Sequence, residues 1–98
     1  MAFKDEYNFG LIENEAKRLV IMELEKQLKN EPKSTCRCEE CVLDITTGAL
    51  NSVKPLYRVS LMGALYASQA MNDANYAASV QAAVASTLNK VKTNPAHD

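Results

Sequence analysis

The segment CRCEEC, residues 36–41, holds three cysteines within six positions, and the 98-residue chain contains no others. A disulfide, a reactive thiol, a metal site or simple packing would each explain such a cluster. An odd number of cysteines leaves one thiol outside any disulfide framework. Thiolates are preferred ligands of zinc, which takes four ligands in a tetrahedron. The segment therefore predicts a metal site, with a reactive or redox thiol pair and incidental packing as the alternatives.

The ligand set follows from the spacing of these residues. Cys38 and Cys41 form a Cys-x-x-Cys pair at a predicted loop-to-helix junction, and Cys36 lies two residues earlier. His97, the one histidine, follows Pro95 after the last predicted helix and is the predicted fourth ligand. Four protein ligands leave no open coordination position, so we expect a structural zinc ion. The alternatives for the fourth position are water, a partner subunit, Glu39 and Asp44.

Two helices are predicted on either side of this cluster. The second one begins near Cys38, buries Cys41, Ile45 and Ala49 at intervals of four, and stops at Asn51. The first covers residues 8–29 with Asn8 as its N-cap. Its apolar stripe has the three- and four-residue spacing of one helix face and consists of Ile12, Ala16, Leu19, Val20, Leu24 and Leu28. Ile21 and Met22 fall outside that stripe, so a second subunit is expected to cover the other side.

The C-terminal half contains a long alanine-rich segment. Residues 61–91 lack proline and favour one long helix, which residues 71–75 (MNDAN) either kink or divide. Before it, residues 55–60 (PLYRVS) are predicted to form at most a single edge strand. The sequence thus predicts a mainly α, single domain spanning residues 1–98. It has about three helices including a long C-terminal one, is held together by zinc, and is homodimeric.

Composition narrows the function. Eleven basic residues nearly balance twelve acidic ones, which argues against binding to nucleic acid or to a membrane surface but allows a local basic pocket. The N-terminal residues lack a signal-peptide core, and the aliphatic run LVIM at residues 19–22 is far too short to span a bilayer. We therefore expect a cytoplasmic protein. Three dispersed glycines and a single histidine give no phosphate loop or catalytic triad, so no enzyme is predicted.

The segment CRCEECVLDITTGALNSVKPLY, residues 36–57, resembles the ComFB, or late competence development, family. The pattern combines clustered cysteines, an Asp-Ile pair, a small-Ala-Leu-Asn segment and a proline before a tyrosine. The opening YN at residues 7–8 and the close VKTNPAH at residues 91–97 are also similar to the family. Lys54 stands where a second proline is common, and Gly48 where alanine is frequent.

The resemblance implies a small helical homodimer that binds zinc through its cysteines and has a regulatory role. Some family members are receptors for cyclic di-GMP or cyclic di-AMP, ligands whose phosphates need cations and whose purines need flat surfaces. The candidate ligand-binding residues are the nearby cationic and aromatic side chains Arg37, Arg58, Lys54, Tyr57, Arg18 and Tyr7. The alternative function is a zinc-stabilised dimeric adaptor that docks on another regulatory protein without a small ligand.

Overall fold

The computed structural model describes residues 2–59, 65, 68–69 and 72–95. It is mainly helical, with a short two-stranded antiparallel sheet and a long C-terminal helix. In chain order, its elements are helix α1 (Phe3–Glu6), a 3-10 helix (Phe9–Leu11), strand β1 (Glu13–Asn14), helix α2 (Glu15–Lys29), helix α3 (Glu39–Leu50), strand β2 (Tyr57–Arg58) and helix α4 (Ala74–Thr93).

The hydrophobic core lies between α2, α3 and α4. Helices α3 and α4 make the most extensive contact, and α2 packs against both. Each helix contributes small and branched side chains at helical spacing, and the segment before β2 adds two more. The buried apolar residues are Ala16, Val20, Leu24, Ile45, Ala49, Val53, Leu56, Val80, Ala83, Val84 and Leu88. The predicted stripe of the first helix is confirmed from Ala16 onward, with Leu19 and Leu28 partly buried against this core.

The predicted start of the first helix at Asn8 is wrong. The Asn8 side chain accepts a hydrogen bond from the Gly10 N–H and caps the 3-10 helix instead. The cap of α2 is Asn14, whose Oδ1 accepts the Ala16 N–H at 3.1 Å and the Leu56 N–H at 2.8 Å. Ile12 and Asn14 have extended backbone angles, so Ile12 lies outside the helix and is exposed.

The predicted edge strand exists but has a partner that the sequence did not reveal. Tyr57 and Arg58 of β2 pair with Asn14 and Glu13 of β1, respectively. The Glu15 N–H extends this pairing by donating to the Leu56 carbonyl at 2.8 Å. The short sheet therefore ties the N-terminus of α2 to the segment that follows α3.

Helix α3 agrees with the sequence prediction. Cys38 is its N-cap, Glu39 and Glu40 occupy the first turn, and Asn51 is its C-cap. Cys41, Ile45 and Ala49 are buried as expected. The acidic first turn is favourable because the N-terminal end of a helix carries partial positive charge.

Helix α4 begins at Ala74, so the predicted long helix is interrupted at residues 72–73, within the predicted weak segment 71–75. Asp73 has extended backbone angles, φ −83° and ψ 116°, and its side chain accepts the Asn75 N–H at 2.8 Å. The helix continues to Thr93, two residues past the predicted end, and stops before Pro95. The first part of the predicted long helix lies mostly outside the described residues.

Gly48 allows α3 to approach α4 closely. A Cβ at this position would lie 2.5 Å from Cγ2 of Thr87. The Thr87 hydroxyl donates to the Ala83 carbonyl at 2.8 Å, which helps to fix the rotamer that aims its methyl at Gly48. This contact explains why glycine stands at this position of a helix interior.

We expect Gly48→Ala to have opposite effects on stability in two backgrounds. In the native background the clash, about 1–3 kcal/mol for overpacking, outweighs the gain of about 1 kcal/mol from replacing a helical glycine. With Thr87→Ser, which removes the methyl and keeps the hydroxyl, Gly48→Ala should raise the free energy of unfolding by about 1 kcal/mol. Urea unfolding of the four proteins in this cycle measures both effects. An equal effect of Gly48→Ala in the two backgrounds would contradict the contact.

Candidate metal centre

The three cysteines meet at the start of α3. Cys38 is the N-cap, Cys41 lies in the first turn, and Cys36 lies on the preceding loop. Their Sγ atoms are all within 4.8 Å of one another, and none is in a disulfide. Cys41 is buried, Cys36 is half-buried and Cys38 is exposed. The cluster therefore runs from the core to the surface, which leaves a path for an ion.

The sulfur positions fit a thiolate-bound metal ion. Tetrahedral zinc–sulfur bonds of about 2.3 Å place sulfurs about 3.8 Å apart, so closing the observed triangle needs movements of about 1 Å or less. The Cys41 N–H already points to the Cys38 sulfur, at an N–S distance of 3.4 Å. Such an amide stabilises negative charge on the sulfur, aided by the partial positive charge at the helix start. The three cysteines can therefore hold a metal ion.

The protonation of the cluster is uneven. Burial raises the pKa of the Cys41 thiol to about 12, and hydrogen bonds with Cys36 and Cys38 act in the same direction. The Cys38 backbone N–H donates to the Cys36 sulfur and lowers the pKa of Cys36. A metal ion that binds here must displace the Cys41 proton.

The described residues place no fourth ligand beside the three cysteines. Within the described residues, neither Glu39 nor Asp44 joins the sulfur cluster. His97 lies outside the described residues. One contact joins the last turn of α4 to the loop that leads to the cysteines. Lys92 Nζ lies 3.3 Å from a carboxylate oxygen of Glu31 on that loop. The C-terminal end of α4, from which residues 94–95 continue, is therefore joined to this loop by an ion pair.

Arg37, predicted to bind a ligand phosphate, contacts the backbone of its own loop. Nη1 donates to the carbonyl oxygens of Pro32 and Thr35 at 3.2 and 2.9 Å. Nη2 donates to those of Leu28 and Glu31 at 2.6 and 3.2 Å. A guanidinium has five N–H groups, so four of them face these carbonyls. Arg37 joins the end of α2 to the cysteine loop.

Two other candidates, Arg18 and Arg58, line one groove. Both hydrogen-bond the carboxylate of Glu15, Arg58 through Nε to Oε1 and Arg18 through Nε to Oε2 at 3.2 Å. These bonds, with that of Arg58 the stronger, lower the pKa of Glu15. The groove has a volume of about 400 Å³ and is lined by Glu13, Asn14, Glu15, Lys17, Arg18, Ile21, Met22 and Arg58.

The remaining three candidates lie apart from this groove. Tyr57 is exposed on β2 beside Arg58. The Lys54 carbonyl accepts a hydrogen bond from the Tyr76 hydroxyl of α4 at 2.7 Å. Tyr7 packs against Phe3 and Phe9, with ring centroids 5.2 and 6.2 Å away. The structure thus gathers two of the six predicted ligand-binding residues into one groove.

Glu15 and Lys17 are groove residues that the sequence analysis did not select. A glutamate in the first turn of a helix is stabilised by the partial positive charge there, and Arg18 three residues later is a local ion-pair partner. Nothing in the sequence context indicated the second partner, Arg58. Arg58 reaches Glu15 only because β2 pairs beside the start of α2, across 43 residues of sequence.

The clustered cysteines on a mainly helical fold can now be compared with known proteins. The profile of the family described as late competence development protein ComFB matches residues 13–95. The chain belongs to the ComFB family. This match covers every element from β1 to α4, and therefore the cysteine cluster and the groove. No match was found among curated proteins.

Membership of the ComFB family confirms the resemblance seen in residues 36–57. The family is named for late competence development, which associates the chain with the regulation of competence. Among the described residues, the helices are too short or too polar to cross a membrane.

We expect removal of a bound metal ion to destabilise the fold. A structural zinc site contributes on the order of 10 kcal/mol, comparable to the whole stability of a small domain, about 5–15 kcal/mol. Adding a strong chelator to metal-loaded protein should therefore lower the melting temperature by tens of degrees or abolish the transition. Cys38→Ser, which removes the exposed thiol, should reproduce this loss and make the protein insensitive to chelator. An unchanged melting curve would contradict the metal site.

We expect the Glu15 carboxylate to stabilise the fold in a pH-dependent way. Its pKa in the folded protein lies below the ordinary 4.5, because Arg58 and Arg18 stabilise the ionised form. The stabilisation is therefore complete above the unfolded-state pKa and is lost as the pH falls through the folded-state pKa.

Urea unfolding of the native protein and Glu15→Gln between pH 7 and pH 3 measures this contribution. The stability difference between them should shrink as the pH falls. Glu25→Gln, which removes an exposed carboxylate from the same helix, is the matched control. A native-minus-Glu15→Gln difference that stays constant with pH would contradict the role of Glu15.

Proposed function

We propose that this protein is a non-enzymatic, zinc-stabilised regulatory dimer that binds a cyclic dinucleotide, cyclic di-GMP or cyclic di-AMP. The observation that carries the ligand part is the meeting of Arg18 and Arg58, from distant parts of the sequence, in one groove with Lys17. Family membership supplies the regulatory context. The zinc ion supports the fold rather than a reaction.

Zinc is the proposed metal because three thiolates form a soft ligand set, and tetrahedral sulfur-rich sites are typical of zinc. His97 is the proposed fourth ligand. The pairing of Lys92 with Glu31 supports this assignment, since it holds the last turn of α4 beside the loop that carries the cysteines. With four protein ligands, zinc would have no open position for a substrate or an attacking water molecule.

The groove has the two kinds of surface that a cyclic dinucleotide needs. Lys17, Arg18 and Arg58 supply cations for phosphate, and a guanidinium can bind phosphate oxygens in a fork. Ile21 and Met22 supply apolar surface against which a purine can pack. Both are about half exposed, and these are the two side chains that lie outside the buried stripe of α2.

Charge balance favours a site made by two copies. The groove holds three cationic side chains against two acidic ones, Glu13 and Glu15, so one copy supplies a single net positive charge. A cyclic dinucleotide carries two phosphates related by a two-fold axis. A symmetric dimer presents the same side chains twice and matches that symmetry.

Calorimetric titration of zinc-loaded protein with each cyclic dinucleotide, at physiological salt, tests the ligand. We expect micromolar or tighter binding, with one ligand per dimer when light scattering confirms a dimer. Arg58→Gln and Arg18→Gln should each weaken binding by about tenfold or more, because hydrogen bonds to charged groups contribute about 1.5–3 kcal/mol. Lys29→Gln, which removes an exposed charge elsewhere on α2, is the matched control and should bind normally.

The control decides how a negative result is interpreted. Equal loss in Lys29→Gln and Arg58→Gln would indicate general electrostatic attraction rather than a built site. No heat with either dinucleotide, from a protein that is folded and dimeric, would contradict the receptor function.

A protein-binding adaptor is the second candidate, favoured by a separate observation. Residues 2–12 bury no side chain, yet they carry exposed aromatic and aliphatic groups. Exposed apolar clusters of this kind are typical of protein interaction surfaces. These groups are Phe3, Tyr7, Phe9, Leu11 and Ile12. If neither dinucleotide binds, docking of a regulatory protein on this surface becomes the better proposal.

A further inference from the structure

Arg37 lies between two of the clustered cysteines, and its four bonds all go to backbone carbonyls rather than to a carboxylate. The carbonyls of Leu28 and Glu31 belong to the end of α2 and the residues just after it, and those of Pro32 and Thr35 to the turn that follows. One side chain thus connects four points of a segment that has no regular secondary structure after residue 30. A charged donor also makes stronger hydrogen bonds to carbonyls than a neutral one.

We propose that Arg37 is a positioning residue for the metal site, holding the loop in the shape that brings Cys36 and Cys38 to Cys41. This inference rests on the proposed metal site but not on the dinucleotide. Cys41 is fixed by burial in α3, whereas half-buried Cys36 lies on the loop, so its position depends on the shape of the loop backbone. Because Arg37 directly follows Cys36 and precedes Cys38, fixing the backbone around its side chain fixes both neighbours.

A second set of contacts closes the same loop from the other side. The Glu31 carboxylate accepts a hydrogen bond from the Thr35 hydroxyl at 3.4 Å and pairs with Lys92 of α4. Thr35 is buried although its side chain is polar. The turn is therefore held through its backbone by Arg37 and through its side chains by Glu31. Removing the guanidinium would leave the carboxylate contacts and the backbone hydrogen bonds to the Leu28 and Pro32 carbonyls. It would remove the four hydrogen bonds by which one side chain joins the end of α2 to the turn.

This placement has a consequence for metal binding. Residues that orient metal ligands without touching the ion typically change metal affinity by about 10–100-fold when they are replaced. We therefore expect Arg37→Gln to weaken zinc binding by that factor while leaving the ligands in place. Arg37→Lys should recover only part of the affinity, because an ammonium is a compact donor and cannot span four carbonyls as a planar guanidinium does.

Competition with a chromophoric zinc chelator measures the dissociation constants of the native protein and the variants. Lys33→Gln is the matched control, since Lys33 is an exposed cation on the same loop. Val84→Ala is the stability control, because Val84 is fully buried in α4 and lies outside the loop. This substitution lowers stability by creating a cavity. Its zinc affinity therefore shows how much affinity is lost when stability alone is reduced.

We expect Arg37→Gln to lose more zinc affinity than either control variant, after correction for differences in the unfolding free energy of the apo proteins. Cobalt(II) should still give the thiolate-to-metal absorption of three sulfur ligands in Arg37→Gln at saturation. Two results would overturn the inference. One is a zinc affinity of Arg37→Gln no weaker than that of Lys33→Gln. The other is a loss of zinc affinity in Arg37→Gln no larger than its reduced stability predicts, as calibrated with Val84→Ala. If the native protein itself binds no zinc, the proposed metal site fails instead.

Hydrogen exchange provides an independent readout of the same coupling. Metal binding and loop closure stabilise each other by the same factor, because thermodynamic linkage is reciprocal. Zinc should therefore slow exchange of the Glu31 and Thr35 amides, which donate to Leu28 and Pro32 carbonyls in the closed loop. In Arg37→Gln this added protection should be reduced. Equal zinc protection in the native protein and Arg37→Gln would also overturn the positioning role.

Discussion

The carbonyl oxygens at the end of a helix and in the turn beyond it need hydrogen-bond donors, and here one guanidinium supplies four of them. The connection between α2 and α3 depends on this arrangement. It lets the chain leave α2 through a short irregular loop and enter α3 with the cysteines already grouped. Glu31 then ties the same loop to α4 through Lys92, so the loop contacts all three helices that surround the core.

The cysteine cluster is continuous with the hydrophobic core at one end and reaches the surface at the other. Cys41 is on the buried face of α3 with Ile45 and Ala49, while Cys38 reaches the surface. A chain of 98 residues buries a modest core, so a metal ion that joins the core to its least regular loop would add stability where packing adds little. The high pKa of buried Cys41 fits a metal ligand that acts only when an ion displaces its proton.

The groove arises at the opposite end of α2 and depends on a different interaction. Asn14 Oδ1 accepts hydrogen bonds from both the start of α2 and Leu56, which sets β1 against β2 and brings Arg58 to Glu15. Glu15 thereby orients two arginines. A phosphate that binds here must compete with this carboxylate, which would make binding sensitive to the geometry of the arginines as well as to their charge.

Sequence reasoning succeeded where neighbouring residues decide the structure. The cysteine spacing, the buried period of α3 with its cap at Cys38, and the break near Asp73 all arise within a few residues. The family resemblance was also contained in one continuous segment. The start of α2 was mistaken because Asn8 and Asn14 are equally good caps by residue type, and the choice between them was made by a distant strand.

By itself, then, the sequence determined a helical chain with a cluster of thiols that can hold a metal ion, because helix periodicity and Cys-x-x-Cys spacing are local properties. Only the tertiary structure decided which cations share a groove, which cation hydrogen-bonds the loop backbone, and how α4 is joined to the loop before the cysteines. The decisive partners Leu56 and Asn14, Arg58 and Glu15, and Lys92 and Glu31 are 42, 43 and 61 residues apart. Hydrogen bonds across such distances exist only after the core has packed, and no short segment of the sequence encodes them.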